Sequence, residues 1–88
     1  MQNHTKIYMK SMGFSKADWI PCENCGQTAV DINHIEPRGM GGSKTKDNPE
    51  NLIAMCRKCH LDFEAKKIPK FLLQEIHNYK LNERRLSH

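Results

Sequence analysis

Apolar and polar positions along the chain fall into short runs divided by clear breaks. The run TKIYMKSMGF reads as a short helix ended by Gly13, and SKADWIP leads through Trp19 and Ile20 to Pro21. QTAVDINHI is β-branched and alternates at Val30 and Ile32, so it predicts a strand that stops where Pro37 removes a ladder donor. EPRGMGGSKTKDNPE, with its Gly and Pro content, predicts a long loop. NLIAM is a short apolar strand, and CRKCHLDFEAKK carries Leu61, Phe63 and Ala65 into a helix. After the break at Ile68-Pro69, KFLLQEIHNYKLNERRL places Leu72, Ile76 and Tyr79 at helical spacing with charges opposite. That pattern predicts an amphipathic C-terminal helix whose stripe packs on its own domain, a dimer or partner contact being the other use. The expected fold class is small α+β.

Composition narrows this picture. The chain has 88 residues and is 38% hydrophobic, which suits a single domain over residues 1–88 with one small core. Domains this short bury little surface and commonly need a metal, disulfides or oligomerisation. The net charge of +4 suits a polyanionic partner without requiring one. The N-terminal MQNHTKIYMKSMGF has no signal-like apolar stretch and no run has membrane length, so a cytoplasmic protein is expected. Thiols stay reduced there, and four cysteines then read as metal ligands before they read as two disulfides.

Their spacing supports that reading. Cys22-Glu-Asn-Cys25 and Cys56-Arg-Lys-Cys59 each have the two-residue gap of a zinc knuckle, where a tight turn aims both thiolates at one ion. Two knuckles complete a tetrahedral zinc site with no open position, which assigns this zinc to folding and not to catalysis. Cys56 to His60 also spells CxxCH, the pattern of covalent haem, and a lone CxxC serves thiol redox chemistry; neither use explains the other pair. On a helix adjacent side chains diverge by about 100°, so His60 points away from the thiolates and is available to a second site.

CENCG, DINHIEPRGMGG and ENLIAMCRKCH together resemble the HNH endonucleases of the zinc-stapled ββα-metal type, common in phages and mobile elements. The resemblance covers a motif core of residues 22–67, leaving 68–88 as the C-terminal helix. It implies a DNA endonuclease in which one divalent metal lies between a β-hairpin and a helix. By the resemblance His34 is the general base that activates water, Asn51 holds the hairpin loop or orients His34, and His60 is a ligand of the catalytic metal. A base with a pKa near ambient pH and positive charge on the phosphoryl oxygens are what phosphodiester hydrolysis needs.

The chain departs from the family at Asn33, where an Asp or His usually binds the metal. An amide oxygen ligates a hard cation but brings no charge, and Mg²⁺ sites usually include a carboxylate. With Asn33 and His60 as ligands the site is neutral and leans on the scissile phosphate, and the imidazole tilts preference from Mg²⁺ toward Mn²⁺, Co²⁺ or Ni²⁺. Strict alternation puts Asp31 and Asn33 on one strand face and His34 on the other, so a bend must bring Asn33 and His34 to one phosphate. Asp31 is the alternative carboxylate, directly or through water.

Arg38, Lys44, Lys46, Arg57 and Lys58, with Lys66 and Lys67, surround the expected site as phosphate contacts that position DNA without reading sequence. Arg84 and Arg85 either extend that surface or favour the end of their helix. The expected partner is DNA, met as a monomer or homodimer, with phage packaging or other DNA-processing proteins as further partners. For a phage-encoded protein the compartment is the host cytoplasm. The rival reading is a non-catalytic zinc module that binds DNA or protein and whose HNH site has decayed at Asn33.

Overall fold

The computed structural model describes residues 3–36 and 48–86, the last two as backbone only. In chain order these form helix α1 (Asn3–Met12), strand β1 (Asp31–His34), a 3-10 turn (Pro49–Asn51), strand β2 (Leu52–Met55), helix α2 (Arg57–Glu64) and helix α3 (Lys70–Leu86). The expected α+β class and the ββα order are observed. Arg38, Lys44 and Lys46 lie outside the described residues.

Helix α1 ends at Gly13, as its sequence predicts. Gly13 takes φ 79°, Phe14 N–H donates to Met9 O at 2.8 Å and Gly13 N–H to Lys10 O at 3.3 Å, the paired bonds of a Schellman cap. Tyr8, Met9 and Met12 form its buried face.

The two strands run antiparallel in the register Asp31↔Met55, Ile32↔Ala54, Asn33↔Ile53 and His34↔Leu52. All four residues of β2 are buried. Leu52 and Ala54 pack with Tyr8, Met12 and Leu81, while Ile53 and Met55 pack with Cys22, Ile35, Cys56, Cys59 and Leu73. A strand covered on both faces reads as a continuous apolar run, which is why LIAM does not alternate. The first strand is shorter than QTAVDINHI suggests. Thr28 instead bridges Pro21 beside the first knuckle, and only Val30 N–H reaches β2, donating to Met55 O at 3.0 Å.

Helix α2 starts from Cys56, whose sulfur accepts the Cys59 N–H at its N-cap. It closes with Lys67 N–H on Asp62 O (2.9 Å) and Lys66 N–H on Phe63 O (3.0 Å). This second Schellman cap sets Lys66 at φ 63°.

Helix α3 packs against α1, but through a different stripe from the expected one. Leu73, His77 and Leu81 are buried, while Leu72 is 40% and Tyr79 68% exposed. The apolar periodicity misleads because the centre of the buried stripe is a histidine. His77 Nδ1 lies 2.9 Å from the buried Glu23 carboxylate, and its Nε2 is 2.6 Å from Pro49 O. Tyr8 donates to the other Glu23 oxygen at 2.6 Å. Arg84, offered by sequence as a DNA contact, donates through Nε to Met12 O at 2.6 Å and covers the Phe14 ring at 4.6 Å. It locks α3 to α1, and the Arg85 side chain lies outside the described residues.

Among the described residues no helix is long and apolar enough to cross a membrane.

Candidate functional site: a thiol cluster below a histidine-bearing hairpin

The knuckles come together as their spacing predicts. The sulfurs of Cys22, Cys25, Cys56 and Cys59 all lie within 4.8 Å of one another. One ion bonded to four sulfurs at about 2.3 Å sets them about 3.8 Å apart, so the cluster closes on a tetrahedral site. Gly26 takes φ 84° in the first knuckle, where its N–H donates to Cys22 O at 2.9 Å. The second knuckle is the first turn of α2. The Cys59 N–H at this helix N-terminus, with help from neighbouring thiols, lowers the Cys56 thiol to about 7. Burial pushes Cys59 up to about 12, against the donated Asn24 amide bond. A thiol set of this kind fits a soft or borderline ion such as zinc, which binds the deprotonated form.

Above the cluster, β1 distributes the remaining candidates over two faces. Asp31 and Asn33 share the face of Ile53 and Met55, toward α2, because directly paired residues in an antiparallel ladder point to the same side. His34 shares the opposite face with Ile32. The His34 ring lies 5.0 Å from that of His4 on α1, tilted by 44°, and His4 Nε2 is 3.1 Å from Ile32 O. Sequence reasoning did not single out His4, and a lone polar residue at the start of a short helix gives no signal for such a contact. Beside this edge lies a cleft of about 220 Å³ lined by residues including His4, Asp31 and Ile32.

Asn51 holds the end of β1. Its side-chain Oδ1 accepts the Glu36 N–H at 2.8 Å, its Nδ2 donates to Glu36 O at 3.0 Å, and its own carbonyl accepts the Ile35 N–H at 2.9 Å. An amide side chain can donate to the carbonyl and accept from the N–H of one residue in this manner, and a carboxylate cannot. The two residues after His34 are thereby tied to the turn that opens β2.

His60 projects from the first turns of α2 beneath β1. Its Nδ1 lies 3.2 Å from Asp31 Oδ2 and its Nε2 2.6 Å from Glu64 Oε1. Asn33 Nδ2 is buried and has no hydrogen-bond partner among the described residues. The alternation expected from sequence therefore holds: His60 meets the Asp31 and Asn33 side of the strand, and His34 meets α1. Arg57 and Lys58 are exposed and line a groove with Cys25, Cys56 and Cys59, on the thiol-cluster side of α2.

An antiparallel hairpin followed by a helix, closed at its base by four thiols, defines a small ββα unit. Residues 22–66, a little over half of the chain, match the model of the HNH endonuclease family, to which this chain belongs. It is also 30% identical to the type IV methyl-directed restriction enzyme EcoKMcrA of Escherichia coli strain K12, with 64% of this chain and 23% of that enzyme covered. The chain thus spans under a quarter of that relative. No solved structure matches it.

Proposed function

We propose that this chain is a metal-dependent DNA endonuclease that hydrolyses phosphodiester bonds with His34 as the general base. The observation that carries this reading is the Asn51 clamp on both backbone atoms of Glu36, which ties down the strand end immediately after His34. A base must be held within hydrogen-bond reach of its water, and a fixed backbone beside it meets that need. His34 would take the proton of the attacking water at the open edge of β1. Asn33 is adjacent in the chain but lies on the other strand face, so the two side chains would reach one phosphate only where it meets the end of β1 and the strand turns there.

Asn33 and His60 would hold the catalytic divalent cation, and the orphaned Asn33 amide supports the fit. A buried amide nitrogen without an acceptor is unfavourable by about 1–3 kcal/mol. Turning the amide over puts Oδ1 in its place and offers a cation an oxygen. Oxygen and imidazole donors suit Mg²⁺, Mn²⁺, Co²⁺ or Ni²⁺. When bound, such an ion supplies positive charge to the phosphoryl and leaving oxygens. The thiol cluster would hold structural zinc, and Arg57 and Lys58 would contact backbone phosphates. Arg38, Lys44 and Lys46 enter this proposal from sequence alone. A role in phage DNA packaging or another DNA-processing assembly, in the host cytoplasm, is what the resemblance to the family suggests.

Supercoiled plasmid incubated with Mg²⁺, Mn²⁺, Co²⁺ or Ni²⁺ tests the proposal. The wild-type chain should nick or cut in at least one metal, and His34→Ala should lose cleavage by two or more orders of magnitude, in line with general-base loss. Zinc content and DNA binding should persist in that variant. No metal-dependent cutting of any DNA form would favour the non-catalytic zinc module, and full activity in His34→Ala would end its assignment as base.

A further inference from the structure

His60 has a carboxylate against each ring nitrogen, and the two carboxylates cannot play the same part. Asp31 comes from β1 and approaches Nδ1; Glu64 comes from the next turn of α2 and approaches Nε2. The nitrogens lie on different edges of the ring, so one cation bound to His60 meets only one of these groups. We propose that this cation lies on the Nδ1 side, with Asp31 as its anionic ligand, Asn33 as a neutral oxygen ligand and Glu64 as the positioning residue that fixes the His60 ring. This rests on the reading of His60 as a ligand of the divalent cation and changes which residue supplies the charge.

Three observations converge on that side. The Asp31 Oδ2 to His60 Nδ1 distance is 3.2 Å. Two ligand atoms each about 2.1 Å from an octahedral ion and at right angles lie about 3 Å apart, so the pair already has the spacing of adjacent ligands. Glu64, at 2.6 Å from Nε2, is the nearer of the two carboxylates, and assigning it the ring proton leaves the Nδ1 lone pair as the one a metal can take. Asn33 shares its strand face with Asp31, and its amide has a buried nitrogen with no hydrogen-bond partner among the described residues.

The arrangement also resolves the charge deficit at Asn33. A site of one amide and one imidazole is neutral, whereas Asp31 restores one negative charge two residues earlier on the same face of the strand. The carboxylate has moved along the strand by one side-chain repeat, with the cation kept between β1 and α2. His34, on the other face, is unaffected by the change.

The test is Mn²⁺ binding to the full-length, zinc-loaded chain without DNA, read by loss of the free Mn²⁺ paramagnetic resonance signal. Mn²⁺ is chosen because it competes poorly for thiolates. The wild-type chain should bind one Mn²⁺, and Asp31→Asn, which keeps the size and a hydrogen-bonding group, should weaken binding at least about tenfold. Asn33→Asp should tighten it, and the exchange variant Asp31→Asn with Asn33→Asp should recover affinity lost in the single change. Zinc content and thermal unfolding report whether each variant is folded; if Asp31→Asn is not, Asp31→Ser replaces it. Unchanged Mn²⁺ affinity in a folded Asp31 variant overturns the proposal, as does a wild-type chain that binds no Mn²⁺. Because the readout is binding, a chain that binds Mn²⁺ through Asp31 yet cuts no DNA would overturn the nuclease reading alone.

Discussion

At the scale of single residues, the site divides between a backbone clamp and half-buried polar side chains. Asn51 is the clearest clamp, since both polar atoms of its amide engage the backbone of Glu36, at 2.8 and 3.0 Å. Asn51→Ala should cost about 1–2 kcal/mol in thermal or denaturant unfolding, from two hydrogen bonds of ordinary net worth. Asn51→Asp should be as damaging or worse, because it sets a carboxylate oxygen against the Glu36 carbonyl. Cleavage should fall further than stability does in both variants, since the loosened strand end carries His34. An Asn51→Ala chain that cuts plasmid at the wild-type rate would separate the clamp from catalysis. These positions were legible as candidates because HNH-like spacing identifies residue types, and spacing survives without knowledge of the fold. The partners His4, Glu64 and Glu36 were not legible, since side chains far apart in sequence meet only once the strand direction and helix phase are set.

Among the elements, α3 is the one whose sequence pattern misleads. Leu72, Ile76 and Tyr79 suggest a stripe, yet the helix is rotated so that Leu73, His77 and Leu81 are buried. The cause is the buried pair of His77 with Glu23, the residue that follows the first cysteine of the thiol cluster. Burial alone would depress the His77 imidazolium, but the Glu23 carboxylate and the Pro49 carbonyl more than offset it, and the group titrates above its ordinary value. Tyr8, pushed well above its ordinary value by burial and by the same carboxylate, remains a phenol that donates to Glu23. Replacing His77 by Leu leaves the Glu23 charge without its buried partner and should destabilise the chain by about 3–5 kcal/mol in denaturant unfolding. The sign of the pH effect follows from the raised value. The pair contributes in full below the unfolded histidine value of about 6.5, and that contribution falls as pH rises through the higher folded value. At saturating zinc, the stability difference between wild type and His77→Leu should therefore shrink toward alkaline pH. A difference independent of pH would mean that His77 is not held as the imidazolium.

For the whole molecule, the thiol cluster and the two-sided core depend on one another. Cys22, Cys56 and Cys59 belong to the same buried cluster as Ile53, Met55 and Leu73. Structural zinc in small domains is worth about 10–16 kcal/mol in apparent binding energy. A domain's entire net stability is about 5–15 kcal/mol. Removal of zinc by a strong chelator should accordingly unfold the chain, seen as loss of helical circular dichroism, and Cys59→Ser should give the same state without chelator. Retention of native helix content in the zinc-free chain would show that the core alone suffices.

The sequence by itself determined the thiol pairs, the order of hairpin and helix, the cap at Gly13, and the identities of His34, Asn51 and His60 as candidates. Each depends on local spacing or on the backbone preferences of a few adjacent residues. Only the tertiary structure decided which face of α3 is buried, that Arg84 closes on α1, and that His60 Nδ1 meets Asp31. Those outcomes turn on contacts between residues 28 to 72 positions apart, whose geometry follows from packing and from the pairing of buried charge.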